Sequence, residues 1–214
     1  MNDTNLLRRE DVYERLRAEI LSCVLLPGTS LNEATLAERF NVSKTPIRDA
    51  LSRLHAQRLL HVIPRKGYRV APISMSDATD LFEFRAWLEE KCVRSIVGHA
   101  SDQQLRALDR FRTKPAKQDF VDYNRNFHLG LVELVPNRRL ADTAREIIEQ
   151  FDRMVLMSID AVERQTAPLL KEHGVILDAI QARDGPLAGR LVAQHVKSAK
   201  KRVLGALTNR AIVP

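Results

Sequence analysis

The chain has 214 residues, with 34 Lys and Arg against 27 Asp and Glu, a formal charge of +7 and a pI near 9.7. This length allows one or two domains with a sizeable core, and the basic balance favours a polyanionic partner. Aromatic residues make up only 5% and two cysteines stand far apart. Aliphatic dominance points to helices packed on helices, and Cys23 and Cys92 read as reduced thiols rather than a disulfide or a metal knuckle.

The opening MNDTNLLRRED lacks the apolar core of a signal peptide, and no apolar run approaches the ~18 residues of a membrane helix. The expectation is a soluble, cytoplasmic protein with no membrane partner. Residues 1–7 read as a frayed arm. Glu10 to Val24 form an amphipathic helix with Val12, Leu16, Ile20 and Leu21 inward, and Pro27-Gly28 ends it. Asn32 then suits the N-cap of a second helix, with Leu31 and Leu36 as its hydrophobic staple. Asn41 sits where that helix stops, because Asn tolerates the left-handed conformation of a sharp end. Ser43 or Thr45 caps a third helix, and Pro46 fits its first turn.

In the third helix Ile47, Ala50, Leu51 and Leu54 recur at i, i+3, i+4, i+7 and face inward. Lys44, Thr45, Arg48 and Ser52 remain outward. Two short strands, His61 to Pro64 and Tyr68 to Ala71, follow around Arg65-Lys66-Gly67, with Gly67 supplying a turn conformation closed to other residues. Between Arg39 and Arg69 lie eight Lys or Arg and one acid, Asp49, so this segment alone carries the +7 of the whole chain. A helix presenting Lys, Thr and Arg can enter a major groove, and a cationic wing can reach the backbone or a minor groove beside it. The expected DNA contacts are Ser43, Lys44, Thr45, Arg48, Ser52, Arg65, Lys66 and Gly67.

The phrases LNEATLAERFNVSKTPIRDALSRL and IPRKGYRVAPIS resemble the winged-helix domain of GntR-type bacterial transcription regulators, over about residues 8–74. Two positions depart from that pattern: Asn41 and Arg58 stand where the family has Gly.

After a linker at Ala71 to Ser74, with Ser74 or Ser76 as cap, helical periodicity returns without strand alternation. Six helices are expected, over about 76–99, 101–112, 116–135, 137–161, 164–183 and 186–208, joined by connections short enough for an antiparallel bundle. The fold class is therefore mainly α, a winged helix-turn-helix over 1–74 and an all-helical bundle over 75–214. Asn124 and His128, four apart on one helix, share a face, and His173 and His195 lie on later helices. Facing helices of a bundle can bring such residues onto one metal, and three imidazoles with an oxygen suit Zn or Ni. The alternative is ordinary helical histidines.

The phrases LFEFRAWLEEKCVRSI, YNRNFHLGL, KEHGVILDAIQARD and GRLVAQHVKSAKKRV resemble the helical effector domain, FCD, of the FadR branch of GntR regulators, and six helices resemble its VanR-like subgroup. The resemblance implies a metal held by Asn124, His128, His173 and His195, with Asn124 standing where the family has Asp. It also implies a small organic acid as effector. Arg85 is the candidate for its carboxylate, against an Arg85–Glu89 surface pair. Glu172, beside His173, falls on another face of its helix, which leaves no acid visibly paired with the histidines.

Together these readings give a DNA-binding regulator, in all expectation a repressor and not an enzyme, bound as a homodimer to a palindromic operator and modulated by a small carboxylate. Two other readings stand beside it: a metal-dependent hydrolase or isomerase, and a DNA-binding dimer without metal or ligand.

Overall fold

A computed structural model describes residues 3–158 and 166–209. The chain divides into two compact units between Ile73 and Ser74. The first contains α1 (Asp3–Leu21), β1 (Ser30–Leu31), α2 (Glu33–Phe40), α3 (Lys44–Ala56), β2 (Leu60–Ile63) and β3 (Gly67–Val70). Helix α1 has already begun at Asp3, ahead of the expected start at Glu10. Its inward set is the expected one, with Val12, Leu16, Ile20 and Leu21 buried against Leu36, Ile47, Leu51 and Leu54. Outside this core, Arg53 lies over the Tyr13 ring at 3.5 Å and Arg39 donates to Glu19 at 2.8 Å, tying α1 to α3 and α2.

Local chemistry sets the ends of α2 and the start of α3. The Asn32 side chain accepts from the amides of Ala34 and Thr35, and Asn41 closes α2 at φ 52°. Ser43 occupies the N-cap position of α3 without a side-chain cap bond. Arg58, where the resemblance has Gly, takes φ 59°. An L-residue held there costs about 1–2 kcal/mol, so the chain keeps the backbone path and bears the strain.

The sheet is antiparallel in the order β1-β3-β2, with Val62 opposite Tyr68 and Leu31 opposite Tyr68 on the other side. β2 and β3 each begin one residue before their expected starts, and β1 was not expected at all. The hairpin tip bonds Lys66 N to Ile63 O at 2.9 Å with Arg65 at φ 63° and Gly67 at φ 98°. Gly67 is needed twice over, since a Cβ there would stand 2.6 Å from the Leu31 carbonyl oxygen.

The second unit contains α4 (Met75–His99), α5 (Asp102–Ala107) running into a 3-10 turn (Leu108–Phe111), α6 (Phe120–Val132), α7 (Arg138–Gln150), α8 (Asp152–Met157), α9 (Thr166–Gln181) and α10 (Gly185–Asn209). Helices α4 and α10 pack along each other, and α4 also touches α6, α7 and α9. The core joins Val93, Ile96, Phe127, Leu131, Ile148, Leu177, Ile180 and Val192. Side-chain caps mark the starts: Ser74 for α4, a Ser101–Gln104 capping box for α5, Asp119 for α6 and Asn137 for α7.

The helical segment expected over 137–161 is divided at Phe151. Its amide bonds to Ile148 O in a tighter i−3 turn, and its ring packs edge-on to Phe82 at 4.5 Å between centroids. The expected end of that segment at 161 and the next start at 164 lie outside the described residues. Just after the break, Asp152 is buried, accepts from Arg125 at 2.8 Å, and is pushed by burial up to about 6.

Replacing Gly67→Ala is expected to lower stability by about 2–3 kcal/mol, read as the denaturation midpoint of the full chain. A second measurement concerns pH. The folded Asp152 carboxyl titrates near 6 against 3.8 for the free group, so its neutral form favours the fold. Its contribution is present below pH ~4 and lost as pH rises through ~6, about 3 kcal/mol over that window. The stability of the wild type relative to Asp152→Asn, read from unfolding curves across this range, should fall by about that amount, because groups titrating in the same window with the opposite sign, such as His128, are common to both chains.

Candidate functional site

In the first unit, Ser43, Lys44, Thr45, Arg48 and Ser52 are all exposed, and so are Arg65 and Lys66 at the hairpin tip. Gly67 is half-buried and shapes the tip. The outward face of α3 and the tip are thus cationic surfaces of one small unit. Arg48 is not idle: its Nε and Nη2 donate to the Glu33 carboxylate at 3.2 and 2.9 Å. This pair lowers the Glu33 carboxyl, first through the hydrogen bond from Arg48, and raises the guanidinium.

In the second unit, α6, α9 and α10 bring His128, His173 and His195 together, all buried, with one nitrogen of each within 4.8 Å of the others. Each ring is fixed through Nδ1. His128 Nδ1 lies 2.6 Å from Glu89 Oε2, His195 Nδ1 lies 2.6 Å from Glu172 Oε2, and His173 Nδ1 lies 3.2 Å from the Tyr123 hydroxyl. That hydroxyl donates to the Phe111 carbonyl at 2.6 Å, so its oxygen is left to accept from His173. Phe127 stacks on His173 with centroids 3.7 Å apart and planes 8° from parallel.

With every Nδ1 engaged outward, the Nε2 atoms turn inward. Those of His173 and His195 face each other at 3.3 Å, and His128 Nε2 is buried with no hydrogen-bond partner. A buried nitrogen left bare costs about 1–3 kcal/mol. Burial also holds His128 down at about 4 and His173 well below the ordinary imidazole value, so both rings are neutral lone-pair donors at pH 7. Outer partners of this kind fix the tautomer and aim of metal-ligating histidines. The donor set fits a first-row divalent ion.

Two arginines close the arrangement. Arg85 and Glu89 form a buried ion pair on α4, with Arg85 4.6 Å from the Phe151 ring centroid. Burial would raise the Glu89 carboxyl, but Arg85 and then His128 outweigh it and hold it at about 2. On the opposite side Arg202 donates to Glu172 at 3.2 Å. The alternative reading of an Arg85–Glu89 surface pair is met in part: the pair exists, but inside the protein. The expectation that no acid is paired with the histidines is overturned by both glutamates. Glu172 does leave the face of His173, and in doing so meets His195 on the neighbouring helix.

Asn124, half-buried, lines a cavity with Arg85, His128, His195 and Arg202. Its volume is about 30 Å³, room for an ion and about a water molecule. Glu89, Glu172, Tyr123 and Arg202 were not named from sequence as site residues. Only Glu89 carried a signal, its i, i+4 spacing from Arg85. His55, His61 and His99 take no part in the cluster. Cys92 is buried with its thiol pushed up to about 12 by burial and by Glu89, and neither Cys23 nor Cys92 is in a disulfide.

Residues 8–70 match the bacterial regulatory proteins of the gntR family, and residues 80–198 match the FCD domain. The chain is 29% identical over 201 residues to the HTH-type transcriptional repressor RspR of Escherichia coli K12, spanning 91% of this chain and 88% of that protein. It is 27% identical to the HTH-type transcriptional repressor GlaR of the same strain, spanning 87% and 91%. Among solved structures, a GntR transcriptional regulator from Rhodococcus sp. RHA1 superposes with TM-score 0.77 at 25% identity, covering 92% of this chain and 98% of that one. Escherichia coli McbR/YncC shares the fold with TM-score 0.77 at 20% identity, covering 92% and 96%. No described helix is long and apolar enough to cross a membrane. The chain belongs to the GntR family of DNA-binding transcriptional regulators, with a winged helix-turn-helix followed by an FCD domain, and is not an enzyme.

Proposed function

We propose that this regulator binds a palindromic operator as a homodimer and that a small organic acid, taken up beside a divalent metal in the FCD unit, alters its affinity for DNA. The observation that carries the metal reading is the inward convergence of three histidine Nε2 atoms, one of them buried and unpartnered. His128, His173 and His195 would hold the ion, with the Asn124 amide oxygen as the fourth ligand in place of a carboxylate. Zn or Ni suits this nitrogen-rich set. A bound ion would supply an electrophilic anchor for an acid's oxygen atoms.

Arg85 is the group in this chain best suited to the acid itself. It is buried, lines the cavity, and a guanidinium binds a carboxylate in a two-pronged fork. Arg202 lines the same cavity from α10. The small cavity volume means that an incoming acid displaces contacts already made, so its binding energy is linked to the arrangement of α4, α6 and α10. Such linkage is what a ligand needs to favour one state of a regulator over another. The 1–74 unit would carry the DNA contacts, through Lys44, Thr45 and Arg48 in the major groove, with Ser43 and Ser52 beside them, and through the Arg65-Lys66 tip, which Gly67 shapes.

Saturating ZnCl2 or NiCl2 should raise the melting temperature of the chelator-treated protein by about 5–10 °C. The rise should disappear in His173→Ala, and metal analysis after dialysis should find about one ion per chain. No shift and no retained metal would leave the DNA-binding dimer without metal or ligand as the better reading. On the DNA side, a duplex selected from a random pool by the wild type should bind Arg48→Ala about 10–100-fold more weakly in a gel shift, with unchanged circular dichroism. Equal binding would remove Arg48 from the contact set.

A further inference from the structure

Helix α4 has one unburied side, and it is unlike an ordinary solvated face. Trp87 is 65% exposed and Phe84 41%, both large aromatics open to solvent on the same stripe. Along that stripe, at spacings of three and four, stand Asp80, Glu83, Phe84, Trp87, Lys91 and Arg94, every one exposed. Acids occupy its N-terminal end, aromatics its middle and bases its C-terminal end.

We propose that this face of α4 pairs with the same face of a second copy, antiparallel, about a two-fold axis passing beside Trp87. The inference rests on the homodimer reading and names the surface that reading requires. The sequence is self-complementary about position 87. Counting outward by four reaches Glu83 one way and Lys91 the other; counting by seven reaches Asp80 and Arg94. A two-fold operation therefore sets Asp80 against Arg94 of the partner subunit, Glu83 against Lys91 of the partner subunit, and Trp87 beside Trp87 of the partner subunit. A parallel pairing would set like charge against like.

An isologous contact requires a patch of this kind, one that complements itself. The composition fits as well, with a tryptophan at the centre and charges at the rim. The stripe carries two acids and two bases, so it has no net charge with which to attract a polyanion. Within one chain Glu83 accepts from Lys200 at 2.8 Å and Arg94 donates to Glu90 at 2.9 Å. Both are exposed pairs of the kind that contribute little and exchange readily.

The test is sedimentation velocity on the full chain over a range of concentrations, with thermal melts as the check on folding. The wild type should be dimeric. Trp87→Glu, a surface change, should weaken the dimer by about 30-fold or more at an unaltered melting curve of the isolated subunit. Asp80→Lys and Arg94→Asp should each weaken it by about fivefold, and the two together should restore it, since the reversed pair re-forms only in the antiparallel register. A wild type that stays monomeric would overturn the homodimer reading itself. A dimer untouched by Trp87→Glu would overturn this face while leaving that reading in place. A dimer broken by Trp87→Glu but not restored by the double charge reversal would overturn the register.

Discussion

The second unit depends on how three imidazoles are held from behind. An imidazole has two nitrogens and only one can be aimed at a given point. Glu89, Tyr123 and Glu172 take the Nδ1 side of His128, His173 and His195, and so direct all three Nε2 atoms into one buried space. That geometry crowds three ring nitrogens together and leaves His128 Nε2 unpaired. A fold built only for packing would replace such a cluster with aliphatic side chains, because unpaired buried polar atoms destabilise it. The cluster makes physical sense as the coordination set of the proposed ion.

Charge is handled one layer further out. Burial keeps His128 and His173 neutral and Asn124 brings no charge, yet Glu89 and Glu172 lie one hydrogen bond away, each clamped by an arginine. The two sides of the site repeat the same order, arginine to glutamate to histidine. A buried carboxylate needs such a partner, since an unpaired charge in the interior would cost several kcal/mol. It also means that Arg85 cannot turn toward a ligand without changing what Glu89 does to His128. Any acid bound through Arg85 would thereby be coupled to the aim of a proposed metal ligand, with no mobile loop required. The same helix that carries Arg85 and Glu89 inward carries Phe84 and Trp87 outward, so α4 links the interior site to the protein's surface within one rigid element.

What could be read in the sequence was what local chemistry determines. Asn32, Asn41 and the inward set Ile47, Ala50, Leu51 and Leu54 needed only capping preference and helical period, and all appear as expected. The hairpin followed from Gly67 and its flanking apolar residues to within one residue. The histidines were found by the shared face of Asn124 and His128 and by resemblance. What was missed is non-local. A two-residue strand such as β1 has no periodicity, and exists because β3 offers it an edge. The break at Phe151 coincides with a ring contact to Phe82, three helices away in the chain. Helical spacing within one helix separates Glu172 from His173, whereas its partner His195 sits on the next helix, which no local pattern reveals.

The pairing of Arg48 with Glu33 bears on how the surface proposed to face DNA is prepared. A guanidinium has five N–H groups, and Glu33 engages only the Nε edge and one hydrogen of Nη2. The remaining hydrogens project from a side chain that this two-point contact biases toward one orientation among the many rotamers open to an arginine. For an arginine that reads DNA as proposed, this lowers the entropy lost on binding while placing a negative charge near an approaching phosphate. The two effects have opposite consequences. Orientation matters most where a base edge must be met at fixed geometry, and repulsion acts on any duplex alike. Glu33 would then cost general affinity and favour discrimination, a balance suited to a protein that must find one operator among a large excess of other sequence.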